Sequence, residues 1–79
     1  MNCVALHTLQ PGDKGIIEQI KSSAAQIRQR LLEMGLTRGT VIELVRFAPM
    51  GDPIEIAVRG YRLSLRRVEA ESILLRSTS

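Results

Sequence analysis

At 79 residues the chain is expected to form one domain, which would bury about 60–65% of the surface its unfolded form exposes and leave no room for a core and a deep catalytic cleft together. Its 44% hydrophobic and 24% charged residues argue against disorder, and its short apolar runs exclude a span of about 20 residues or a secretory leader, which points to the cytoplasm. The net charge of +3, with nine arginines among eleven basic residues, suits either an acidic partner or an ordinary solvated surface.

The segment Leu9-Gln10-Pro11-Gly12-Asp13-Lys14-Gly15 opens on a Pro-Gly turn signal and feeds Ile16, Ile17 and Ile20, a first strand that ends at Lys21, Ser22 and Ser23. Ala24, Ile27, Leu31 and Met34 then recur at spacings of three and four and predict the one convincing helix. Ser23 with Gln26 fits a capping box at its start. Gly35 can take the left-handed conformation that stops a helix, with Leu36 folding back onto the last turn.

After a turn at residues 37–39, Val41 to Phe47 is rich in β-branched and large apolar side chains and predicts a heavily buried strand. The loop Ala48-Pro49-Met50-Gly51-Asp52-Pro53 reverses the chain. Ile54, Ile56 and Val58 alternate on one face of the next segment, as do Tyr61, Leu63 and Leu65 on the one after it. A two-residue turn at Arg59-Gly60 would set Val58 opposite Tyr61, Ile56 opposite Leu63 and Ile54 opposite Leu65, so that the apolar faces coincide and Tyr61 points inward. The other face would carry Glu55, Ala57, Arg62 and Ser64, with Arg66 continuing the row. One helical turn around Val68 to Glu71 leads to a last strand, Ile73 to Leu75, and residues 77–79 form a polar tail. The expected fold class is mainly β: about five short antiparallel strands, one α-helix between the first and second, in a closed or partly closed barrel that hides its edges. A split α+β sheet is the alternative.

Little in the chain suggests catalysis. One Cys (Cys3) and one His (His7) are too few for a metal site, cannot build an internal disulfide, and leave any nucleophilic triad dependent on a histidine near the terminus. Glu55, Glu69 and Glu71 fall on faces expected to be solvated, and the six glycines form no phosphate-cradling pattern. No catalytic residue, metal or cofactor is expected. Arg59, Arg62, Arg66, Arg67 and Arg76 raise the question of nucleic acid, but Phe47 and Tyr61 are the only aromatics, so a stacking platform is missing. A docking surface remains. Arg28, Arg30, Glu33 and Arg38 surround the exposed side and end of the helix beside Leu32, which lies off the Ile27/Leu31 stripe. Leu32 is either an interface anchor or an extension of the buried stripe.

Taken together, Leu9-Gln10-Pro11-Gly12-Asp13-Lys14-Gly15, Arg30-Leu31-Leu32-Glu33-Met34-Gly35-Leu36, Ala48-Pro49-Met50-Gly51-Asp52-Pro53 and Leu63-Ser64-Leu65-Arg66 resemble, in this order and nearly end to end, the motifs of the FeoA family. The resemblance implies an SH3-like barrel and a non-enzymatic, cytoplasmic role in ferrous iron uptake, as an accessory that binds the cytosolic side of the FeoB transporter without inserting into the membrane. On that reading the candidate partner-binding residues are Arg28, Arg30, Leu32, Glu33, Arg38, Pro49, Met50 and Asp52. The same barrel occurs as a C-terminal domain of iron-dependent repressors, so a regulator-type or nucleic-acid-binding barrel is the runner-up. Self-association through open barrel edges is a further alternative.

Overall fold

The computed structural model describes residues 3–21 and 25–78. Its elements are β1 (Val4–Ala5), a 3₁₀ turn (Leu6–Thr8), β2 (Lys14–Ile20), α1 (Ala25–Glu33), β3 (Val41–Phe47), β4 (Ile54–Val58), β5 (Tyr61–Leu65), α2 (Arg67–Ala70) and β6 (Ile73–Arg76). The six strands form one antiparallel sheet in the order β1-β6-β2-β3-β4-β5. Residues from β2, β3, β4, β5 and β6 enter a single buried cluster: Ile17, Ile42, Leu44, Ile54, Ile56, Val58, Leu65, Ile73 and Leu75. One sheet can share one core in this way only by rolling around it. The roll stays open, because β5 and β1 are the two outer strands and do not pair.

The sheet has six strands where the sequence suggested about five. The additional one, β1, is two residues long and owes its existence to pairing with β6, Val4 opposite Leu75. The β4–β5 hairpin has the expected register, with Val58 opposite Tyr61, Ile56 opposite Leu63 and Ile54 opposite Leu65. Arg59 and Gly60 both take positive φ, 49° and 87°, the mirror-image turn whose twist matches the flanking strands.

Helix α1 buries Leu31 in the core, with Ile27 and Met34 packed partly against it. Gly35 turns at φ 86°, and Leu36 donates its N–H back to the Leu31 carbonyl at 3.1 Å while its side chain is fully buried. This is the expected helix stop, in which a left-handed residue lets the chain reverse and satisfy a terminal carbonyl. The capping box expected at the other end involves Ser23, which lies outside the described residues.

One sequence expectation is qualified here and another overturned. Tyr61 is 42% exposed: it lies on the core-facing side of the hairpin but at its rim, where its hydroxyl donates to the Met34 carbonyl at 3.0 Å. Glu69, expected in solvent, is only 3% exposed. Its Oε1 accepts the Arg66 N–H at 2.9 Å, and its Oε2 meets Arg30 Nε at 2.8 Å. One carboxylate therefore both satisfies the N-terminus of α2 and ties α2 to α1, which is what makes burial of a charge tolerable. With the Tyr61 bond, this pair fastens α1 and the turn after it to α2 and to the start of β5.

Candidate functional site

Three of the expected partner-binding residues are engaged within the domain. Arg30 is committed to Glu69, and Glu33 accepts a hydrogen bond from Gln29 at 3.3 Å. Asp52 accepts the Arg67 N–H at 3.1 Å, a second satisfied donor at the start of α2. Pro49 lines a shallow pocket with Arg46, Ala48, Pro53, Glu55 and Ser64. Met50, by contrast, stands 92% exposed at the tip of its loop.

The remaining three, Arg28, Leu32 and Arg38, come together. They line a groove of about 280 Å³ with Ile17, Glu18, Gln19 and Ile20. Arg28 and Leu32 are four residues apart and so share a face of α1. Leu32 is 43% exposed, which means that it does not widen the buried stripe but presents an apolar surface to the groove. Arg38 arrives because Gly35 turns the chain back toward β2, where the Gly39 N–H donates to the Ile17 carbonyl at 2.8 Å and the Ile17 N–H to the Thr40 carbonyl at 2.9 Å.

The far wall is built by an irregularity in β2. Its pairing with β6 shifts between Ile17 and Gln19, a bulge that leaves Glu18 out of the ladder and re-aims its side chain. The Glu18 carboxylate meets Arg38 Nη2 at 3.3 Å and Arg76 Nε at 3.4 Å. Past Ile17, no strand among the described residues pairs with β2 on the groove side. The Lys21 N–H donates to the Ser72 carbonyl at 2.6 Å on the β6 side, and alternation along the strand therefore turns the Ile20 N–H and C=O toward the groove.

The groove is electropositive. Its lining carries two arginines, Arg28 and Arg38, and one carboxylate, Glu18, which is shared between Arg38 and Arg76, while Arg28 makes no ion pair among the described residues. Elsewhere the basic residues are better balanced. Arg46 and Arg62 share Glu55, at 2.8 and 3.4 Å, and Arg67 meets Glu71 at 3.6 Å. The hydrogen bond from Arg46, reinforced by the charges of Arg46 and Arg62 against a smaller desolvation effect, holds the Glu55 carboxyl below the usual carboxylate range. Of the arginines that suggested nucleic acid, Arg62, Arg67 and Arg76 are thus engaged with carboxylates and Arg59 donates to Thr40.

Cys3 is exposed, and His7 sits in the 3₁₀ turn with its Nδ1 buried and without a hydrogen-bond partner among the described residues. Among the described residues no three His, Cys, Asp or Glu side chains converge as a metal site would need.

The FeoA domain model matches residues 4–77. The chain belongs to the FeoA family. It is 37% identical over 68 residues to the Fe(2+) transport protein A/Fe(2+) transporter FeoB fusion protein of Porphyromonas gingivalis, an alignment covering 86% of the chain but only 8% of that relative's length. The FeoA-like protein of Clostridium acetobutylicum superposes with a TM-score of 0.90 at 35% identity, over 100% of this chain and 91% of that one. The zinc complex of Stenotrophomonas maltophilia FeoA, a prokaryotic SH3-domain protein, matches with a TM-score of 0.80 at 26% identity, over 92% and 89% of the two chains. The expected mainly β, SH3-like fold is therefore the observed one, with its roll left open. The family is associated with ferrous iron transport and is not a known enzyme family. No helix among the described residues is long and apolar enough to cross a membrane.

Proposed function

We propose that this FeoA domain is a non-enzymatic accessory of ferrous iron uptake that acts by docking onto the cytosolic side of a FeoB transporter and modulating it. The observation that carries the reading is the fusion of the two modules in the Porphyromonas gingivalis relative. Covalent linkage holds two modules at high effective concentration, an arrangement useful when they work against one another. The groove beside α1 is suited to the task, since it offers an exposed leucine flanked by arginines on a rigid frame, the composition of an interface anchor. Pro49 and Met50 lie on a separate loop and would form a second contact.

Calorimetric titration into the isolated G-domain and into full-length transporter in detergent, with single-stranded DNA alongside at about 0.15 M salt, tests the reading. Saturable binding to either transporter preparation and none to DNA is expected. Binding to DNA alone would refute it and return attention to Arg59 and Arg66.

A further inference from the structure

We infer that the groove between β2 and α1 receives an extended, acidic segment of the partner, with an apolar side chain seated on Leu32 and a carboxylate between Arg28 and Arg38. This deepens the docking reading above and rests on it. Three features point to such an occupant. The first is charge: the groove is lined by two guanidinium groups, Arg28 and Arg38, against the single carboxylate of Glu18, which Arg76 also pairs from outside the lining, so a second carboxylate would find an uncompensated field and the fork geometry that suits it. The second is the backbone of Ile20, which faces away from β6 and has no pairing strand on that side among the described residues, so that its N–H and C=O can pair with an extended chain as an added strand would. The third is Leu32, an exposed leucine that lines the groove and provides an apolar surface next to the charged groups. A helical ligand would leave the Ile20 backbone groups unpaired. A basic one would face like charge.

The test has two arms, one of which needs no transporter. In the first, uniformly ¹⁵N-labelled protein is titrated with a blocked peptide alternating Asp and Leu, and separately with its Lys-Leu counterpart. The acidic peptide is expected to shift the amides of Glu18, Gln19, Ile20, Leu32 and Arg38, and Arg28→Glu to weaken that binding at least tenfold while the rest of the spectrum shows an intact fold. Absence of shifts at these amides, or equal shifts with the basic peptide, would overturn the inference. In the second, wild type, Arg28→Gln, Arg28→Glu and the charge-matched control Lys14→Glu are titrated into full-length transporter. A loss of tenfold or more confined to the Arg28 variants is expected. If the Arg28 variants bind as wild type does, the groove assignment falls while the accessory function stands. If wild type itself does not bind, the accessory function falls, and the peptide arm alone decides whether the groove takes acidic segments.

Discussion

The tie between α1 and α2 makes the sharpest stability prediction. Arg30 lies within the FeoA motif on the outer side of the helix, yet its guanidinium meets a carboxylate that is almost completely buried. Removing one partner of a fully buried pair costs about 3–5 kcal/mol, because the other charge is stranded. Here the Arg30 side chain is 53% exposed, so water can enter the vacated position and solvate Glu69. We therefore expect Arg30→Ala to cost about 1–2 kcal/mol, below the fully buried range. Glu69→Ala also removes the acceptor for the Arg66 N–H, and adding the loss of a cap raises its cost to about 2–3 kcal/mol. The two changes should not add. A coupling energy of about 1 kcal/mol is expected from the double-mutant cycle, and Arg28→Ala, on the same helix and without an ion pair among the described residues, should stay within about 0.5 kcal/mol of wild type. Urea unfolding followed by circular dichroism measures all four, and thermal scans should show about 4–8 °C per kcal/mol for a domain of this size. An Arg30→Ala protein as stable as wild type, with zero coupling to Glu69, would show that the pair holds nothing together.

Gly15→Ala should destabilise the domain by about 1–3 kcal/mol, since a Cβ there would lie 2.9 Å from both Cβ and Cδ1 of Leu75 across the β2–β6 pair; equilibrium unfolding checks this. Tyr61→Phe removes the hydroxyl that bonds the Met34 carbonyl and should cost about 0.5–1.5 kcal/mol, with faster amide exchange at the end of α1. Because Arg46 and Arg62 lower the Glu55 pKa, the ionised carboxylate stabilises the fold. That stabilisation is fully present above the ordinary carboxylate pKa of about 4.3 and disappears as pH falls through the lower folded value. Glu55→Gln should therefore lower stability slightly at neutral pH, as expected of an exposed pair, and converge with wild type as pH falls through the folded value, with a smaller difference at high salt.

Local patterns carried most of the fold. Period-two alternation and the Arg59-Gly60 turn were sufficient to set the β4–β5 register, and Gly35 followed by Leu36 marked the helix stop that the structure contains. Features set by distant partners were not legible. β1 is too short to show a pattern and exists through β6. Glu69 looked like any charged residue on a short helical turn, because its partner Arg30 lies far away in sequence and approaches only when α1 and α2 come together in the fold. Tyr61 was assigned to the correct face, but position along a strand does not reveal where a rolled sheet ends. The site divided in the same way. Arg28, Leu32 and Arg38 could be selected from helix spacing and motif, whereas Glu18 and Ile20 became their neighbours through a bulge and a strand pairing that no run of residues announces. Arg30 and Asp52, singled out as partner-binding candidates, also hold α2 in place through bonds to residues distant in sequence.

The central claim is that an exposed face of this domain engages the transporter, and Leu32→Asp tests it most directly. Leu32 is substantially exposed, so the substitution should leave the domain folded, at a cost of about 1 kcal/mol in unfolding free energy from lower helix propensity and an acid in the last turn of α1. Titration of wild type and Leu32→Asp into full-length FeoB transporter under identical conditions should show saturable binding for the first and, for the folded variant, at least a tenfold loss of affinity. Equal binding by both proteins would contradict docking through the groove, and failure of wild-type protein to bind at all would contradict the accessory role itself.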